Sequence, residues 1–182
     1  INKIMYKNFE KIDKKSIKNL KASSKLKNDI CRLKDKFWKF GLSSQKKWLK
    51  KNVKEEDVHN CIFANKKLVG YTLIRRRKAL YQKKTISYYL IDTVTVIQNL
   101  RGQQIGKVLM ELNTSLSKKN KKISFLLCKK KLIYFYRKCG WKKLKKQKFL
   151  VNGKKPRLFG MMYNPNKSKI EKTKSLLNFM IH

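Results

Sequence analysis

Acidic residues are scarce. Ten Asp and Glu stand against 49 Lys and Arg in a chain of 182 residues, a formal charge of +39 at pH 7. Alanine occurs three times (22, 64, 79), proline twice (156, 165) and arginine seven times, so 42 of the cations are lysines. That charge density alone would suggest a disordered polycation. The 41% hydrophobic and 11% aromatic content excludes it, provided those residues are placed periodically. Lysine-, isoleucine- and asparagine-rich chains poor in alanine are what an A/T-rich genome writes at tolerant surface positions. Beside this reading of the charge stands a functional one, attraction to nucleic acid, acidic membrane or phosphorylated small molecules. The lysines are spread along the whole chain and the only arginine cluster is Arg75-Arg76-Arg77. Nucleic-acid readers concentrate arginine and aromatics on one element, so this spread does not favour nucleic acid.

Long apolar runs are also missing. The longest are pieces such as Leu132 to Tyr136, far short of the ~18 residues a membrane span needs. The N-terminus has no apolar stretch with a small-residue cleavage site; it begins at Ile1, with Met5 a candidate start. The four cysteines (31, 61, 128, 139) form no CxxC pair and no zinc-like spacing. No metal is expected, and a cytoplasmic protein with its thiols packed as small apolar residues fits. The length suits one domain with one core.

Periodicity supplies the elements. Ile4 to Phe9 reads as a short strand, and Lys14 to Leu33 as an amphipathic helix through Ile17, Leu20, Leu26, Ile30 and Leu33. Gly41 breaks the chain, and Ser43 or Ser44 caps a second helix running to about Asn52. Val58 to Ala64 and Leu68 to Arg76 read as a hairpin about Asn65-Lys66-Lys67, and Ile86 to Ile97 as a strand apolar on both faces. A helix follows from about Gln104 to Lys118, then a buried strand from Ile123 to Cys128 and a short helix from Leu132 to Lys138 closed at Gly140. Trp141 to Val151 and Arg157 to Asn164 form a last hairpin on the turn Asn152-Gly153. The order β-α-α-β-β-β-α-β-α-β-β describes a single-domain α/β fold over residues 1–164, with 165–182 a lysine-rich tail.

The most informative stretch runs from Val94 through Val96 to Arg101-Gly102-Gln103-Gln104-Ile105-Gly106-Lys107. A strand delivers the chain into a glycine-containing turn from which a helix starts. Free N–H groups and the positive end of the helix dipole there can cradle a pyrophosphate; a plain strand-to-helix turn is the simpler alternative. Asp92 shares its strand face with Leu90, Val94 and Val96, where desolvation would raise its pKa toward that of a general base. A carboxylate paired with one of many lysines is the other reading. His59 is either a satisfied structural histidine or a substrate ligand, and Asp57 either caps a turn or binds an amine. Arg75 to Arg77 could meet a phosphate, but neighbours on a strand alternate faces, and a solvated hairpin end explains them as well.

The segment Arg101 to Gly106 resembles the acetyl-CoA signature of the GCN5-related N-acetyltransferases, Arg/Gln-x-x-Gly-x-Gly/Ala, with Gln104 standing where the first signature glycine would be. Tyr134-Phe135-Tyr136 with Gly140-Trp141 resembles the same family's Phe-Tyr-x-x-x-Gly-Phe element. The resemblance implies an acyl-CoA N-acyltransferase fold, a mixed and mostly antiparallel central sheet flanked by helices. It implies acetyl transfer from acetyl-CoA to a small-molecule amine, without a metal. Val94, Val96, Arg101, Gly102, Gln103, Gln104, Ile105, Gly106 and Lys107 would hold the donor, with pantetheine along Val94 to Val96 in the gap before Ile123 to Cys128. Asp92 would take a proton from the amine through water, Tyr136 would protonate the leaving thiolate, and a backbone N–H near Val96 would stabilise the oxyanion. Within the family the chain is similar to aminoglycoside 2′-N-acetyltransferases and their sugar-modifying relatives, in Asp57-Val58-His59, in Asp92 nine residues before Arg101, and in the spacing of Tyr136 to Gly140. Asp57 and His59 would then face the acceptor. Residues 142–164 contain no acid, which argues against a polycationic acceptor and for a neutral or anionic one such as an amino-sugar, free or nucleotide-linked. Two other classes remain: a non-catalytic acyl-CoA-binding protein, suggested by Gln104, and a basic nucleic-acid-binding module, suggested by the charge.

Overall fold

The computed structural model describes residues 12–166 and 176–182. The chain has the expected α/β class, with a central, mostly antiparallel sheet flanked by helices. In order the elements are β1 (Ile12–Lys18), α1 (Ser24–Trp38), α2 (Leu42–Asn52), β2 (Val58–Ala64), β3 (Lys67–Tyr81), β4 (Lys84–Val96), α3 (Ile105–Lys119), β5 (Ser124–Cys128), α4 (Ile133–Lys138), β6 (Lys142–Lys143), β7 (Phe149–Val151), β8 (Phe159–Tyr163) and β9 (Leu177–Phe179). The sheet runs β1-β2-β3-β4-β5-β8-β6, with β7 and β9 joined off this path. Contacts gather into two compact units, residues 1–73 with 93–109, and 74–92 with 110–182. Strands β3 and β4 pass through both.

In the first unit, β1 pairs antiparallel with β2 from Ile12↔Ala64 to Lys18↔Val58. Residues 14–18 are therefore an edge strand and not the start of the helix expected there, with lysines blunting the edge. The helix begins where Ser23 caps it, its hydroxyl accepting from the Leu26 N–H at 3.2 Å. The second helix is capped by Gly41 at φ 82° and not by a serine; the Gly41 N–H donates to Asp35 Oδ1 at 2.7 Å. The strand expected at Ile4 to Phe9 lies outside the described residues. Leu26, Ile30, Leu33 and Leu49 of the two helices pack with Cys61, Tyr71 and Leu73. Ile62, next to Cys61 on β2, points the other way, with Val69, Leu100, Ile105, Val108 and Leu109. The Asn65-Lys66 turn puts both residues at positive φ (47° and 64°), the mirror-image geometry that two-residue hairpins prefer.

In the second unit, Tyr88, Phe125, Phe149 and Phe179 form an aromatic core; Phe125 and Phe179 stack with centroids 3.8 Å apart. The last hairpin differs from expectation. Strand β8 pairs with β5 and with the short β6, whereas β7 turns away and runs parallel to β9. Within the stretch expected to be a tail, Leu177–Phe179 forms a strand. Leu177 and Phe179 are buried, and β9 also pairs antiparallel with β3 from Ala79↔Phe179 to Tyr81↔Leu177. Apolar alternation over three residues is too short to announce such a strand.

Candidate functional site

The turn into α3 is built from below. The Ile97 N–H donates to Val69 O at 2.9 Å, a 3-10 turn follows at Gln98–Leu100, and Leu100 is buried as its anchor. Gly102 lies at φ 83° with nothing within 4 Å of a Cβ placed there. Gln104 adopts φ 61°, the left-handed conformation that glycine takes freely and other residues rarely do. Its carbonyl accepts from the Val108 N–H at 3.1 Å, which makes it the N-cap of α3. The N–H groups of Ile105, Gly106 and Lys107 then have no carbonyl one turn earlier, and the positive end of a 15-residue helix adds to them.

Gln104 and Lys107 are exposed and Gly106 half-exposed, so an anion can reach this turn. Arg101 is exposed too, its guanidinium 4.9 Å from the Phe37 ring centroid. The Gln103 amide donates to Asn99 O at 3.5 Å, while its Oε1 is buried and has no hydrogen-bond partner. These residues fit a pyrophosphate-bearing group. What brings α3 close is Gly70 on β3, beneath Ile105 and Leu109. Gly70 is not among the residues expected at the site, although a glycine within a strand is itself a sign of close approach.

Strand β4 does not alternate simply. Thr93 sits at φ 56°, unusual for a β-branched residue. Before it Tyr88 and Leu90 are buried; after it Thr95 is, with Val94 and Val96 half-buried. The irregularity breaks the common face expected for Leu90, Asp92, Val94 and Val96. Asp92 is accordingly not isolated on an apolar surface. Its Oδ2 accepts from Arg75 Nη1 at 3.2 Å, the Arg75 side chain 6% and the Asp92 side chain 31% exposed. Arg75 is the residue whose importance the sequence concealed, because its place within a run of three arginines suggested solvent. The parallel β4–β5 ladder is short, Tyr89↔Ser124 and Leu90↔Phe125, whereas β5 pairs with β8 along its whole length, Ser124 to Cys128.

Asp57 and His59, expected to face an acceptor, are both fully buried. Asp57 caps a turn, its carboxylate accepting from the Lys54 N–H at 2.9 Å. His59 Nε2 lies 3.0 Å from Asn19 Oδ1, and Nδ1 lies 2.8 Å from the Tyr71 hydroxyl. Since Asn19 Nδ2 donates to Val53 O, its Oδ1 accepts, which fixes the proton on Nε2 and makes Tyr71 the donor to Nδ1. Burial, helped by the Lys27 and Lys34 charges, lowers the His59 pKa from 6.5 to about 4, so the ring is neutral.

Tyr136 lies on α4, whose exit is made by Gly140 at φ 82°, with the Trp141 N–H donating to Tyr136 O at 3.0 Å. Its ring is buried beside Phe135 and Trp141. Burial pushes its hydroxyl pKa up, with the neighbouring Cys128 and Cys139 adding to the rise, so the phenol keeps its proton at neutral pH. The four cysteines are free. Among the described residues no group of three or more His, Cys, Asp or Glu could hold a metal ion, and no helix is long and apolar enough to cross a membrane.

The model of the acetyltransferase (GNAT) family matches residues 26–141. Among solved structures, a GNAT family N-acetyltransferase (YhbS) from Escherichia coli in complex with CoA is similar at TM-score 0.69 and 10% identity, over 92% of this chain and 89% of that one. Escherichia coli ElaA is similar at TM-score 0.62 and 16% identity, over 85% and 100%. An aminoglycoside 6′-N-acetyltransferase complexed with coenzyme A is similar at TM-score 0.61 and 14% identity, over 85% and 98%. At these identities the likeness is one of fold. No curated protein matches the chain in sequence.

Proposed function

The chain belongs to the acetyltransferase (GNAT) family, and we propose that within it the protein transfers the acetyl group of acetyl-CoA directly to a small neutral or anionic amine. Amino-sugars, free or nucleotide-linked, are the first class to test. The observation that carries this reading is the backbone at the start of α3, where Gln104 holds the left-handed angle of a glycine and leaves three N–H groups without a backbone acceptor. Acetyl-CoA, when bound, supplies an acetyl group activated as a thioester. Ile105, Gly106 and Lys107 bind its pyrophosphate through their N–H groups, and Arg101 adds charge. Val94 to Val96 offer main-chain groups to the pantetheine. Tyr136 gives its proton to the departing thiolate. Asp92, oriented by Arg75, accepts the proton of the incoming ammonium through water. The coenzyme A complexes among the similar folds support the donor. The acceptor class rests on the absence of any acid over residues 142–164. A cytoplasmic setting fits this chemistry.

One observation favours a second reading, a non-catalytic acyl-CoA binder: the Asp92 carboxylate is committed to Arg75. Thermal shift with acetyl-CoA, followed by thiol release across amino-sugars, polyamines, peptides and aminoglycosides, separates the two. Stabilisation with thiol release on amino-sugars is expected. Stabilisation without release on any amine supports the second reading. Release with kanamycin-like substrates at rates matching an amino-sugar nucleotide overturns the acceptor class.

A further inference from the structure

The first unit holds a hollow lined by none of the residues assigned to acetyl transfer. It measures about 340 Å³ and opens between the first half of α1 and the second half of α2. Lys27, Lys46 and Lys50 stand on its walls with Asn19, and Cys31 and Leu49 supply apolar surface. The volume falls in the range of small-molecule sites. No carboxylate lines it, and among the described residues none of the three lysines has an ion-pair partner.

In a chain with 42 lysines, lysine beside a hollow is expected. Three lining one concavity together with Cys31 and Leu49, and with no carboxylate among the lining residues, make a site with a chemical preference. Their field reaches the interior as well. Lys27 contributes to the lowered pKa of His59, and Lys46 acts on the Cys31 thiol. Asn19 joins the hollow to the buried histidine, since it lines the one and accepts from Nε2 of the other. The hollow is separate from the α3 turn. Phe37, which lies under Arg101, is ten residues beyond Lys27, about 15 Å along α1.

We propose that this hollow binds a small phosphorylated molecule, with its phosphate among Lys27, Lys46 and Lys50 and its apolar part against Cys31 and Leu49. Occupancy places a negative charge beside Asn19, and the His59 ring reports it through their hydrogen bond.

Phenyl phosphate is a suitable probe, titrated into the full chain and followed by calorimetry and by the His59 ring resonances. Saturable one-to-one binding that moves those resonances is expected, with phenol showing none. The double substitution Lys27→Ala/Lys46→Ala should weaken binding by about tenfold or more. Lys47→Ala/Lys51→Ala removes the same charge from exposed positions of α2 outside the hollow and should change affinity less than about twofold. Should the first double variant fail to fold, Lys46→Ala alone, at an exposed position, carries the comparison. Absence of saturable binding, an unmoved His59, or equal losses in the two double variants would overturn the proposal, the last showing attraction to overall charge. Each readout is independent of acetyl-CoA.

Discussion

Gly70 lies directly beneath Ile105. A Cβ on Gly70 would come 3.0 Å from Ile105 Cγ2 and 3.3 Å from Leu109 Cδ1. The first contact is tighter than side chains tolerate without moving, and the atoms that must give belong to the residue that opens α3. Gly70→Ala should therefore cost about 1–3 kcal/mol by overpacking. It should also weaken acetyl-CoA binding, because Ile105 carries one of the free N–H groups. Denaturant unfolding and calorimetry measure the two effects; an unchanged affinity together with lost stability would mean that α3 keeps its place and the strain goes elsewhere.

Gln104 at φ 61° bears a conformational cost that glycine would not. Left-handed backbone costs a non-glycine residue about 1–2 kcal/mol, and glycine returns part of that as chain entropy in the unfolded state. Gln104→Gly should raise stability by up to about 1 kcal/mol, or roughly 2–4 °C in Tm. Acetyl-CoA affinity should hold or improve, since the Gln104 side chain stands exposed beside the cradle. A lower Tm would show that the glutamine side chain contributes something the turn needs.

Burial beside apolar and thiol groups pushes the Tyr136 pKa above its ordinary value, at which the phenol is already protonated at neutral pH. Tyr136→Phe should lower kcat by about 100-fold if it is the general acid, leaving acetyl-CoA affinity almost unchanged. Because its pKa is raised, the wild-type profile should show no fall of kcat from loss of this proton up to the ordinary range of tyrosine. Unaltered turnover in the variant would remove Tyr136 from the chemistry.

Much of this was legible in the sequence where local chemistry and period agree. Strand β2 fell at Val58 to Ala64 as read, and α3 within a residue, because each is long, periodic and bounded by turn residues. The turn Gln82-Lys83 was not legible; both residues take positive φ (49° and 61°) without the Asn or Gly that usually signals such a hairpin. Thr93 gave no sign either, and one irregular residue reassigned the faces of Asp92, Val94 and Val96. The turn into α3 could be read because its signal is local backbone. Buried Asp57 and His59 could not be separated from exposed ligands, because their partners at Lys54, Asn19 and Tyr71 are set by tertiary packing.

The Asp92–Arg75 pair makes the role of Asp92 separable from its support. Arg75 is buried and loses its carboxylate partner in Asp92→Asn, which should cost about 1–3 kcal/mol, toward the lower end because Asp92 is partly exposed. A base role adds a loss of kcat, which Asp92→Glu partly restores. Equal kcat in wild type and Asp92→Asn, with stability lost, would make the pair structural alone.

His59 gives a pH dependence of stability whose sign follows from its lowered pKa. Above pH 6.5 the ring is neutral whether the chain is folded or unfolded, and it contributes no slope. As pH falls below 6.5 the unfolded chain takes a proton that the folded ring refuses until about pH 4, so stability declines through that window. At pH 5 the loss is about 2 kcal/mol, since each step of one in pH across this window removes ~1.4 kcal/mol. Urea unfolding at pH 7.5 and pH 5 measures it. His59→Gln should be less stable than wild type at pH 7.5, losing hydrogen bonds to Tyr71 and Asn19, yet should lose less on acidification. Equal declines in the two proteins would assign the acid sensitivity to the carboxylates instead.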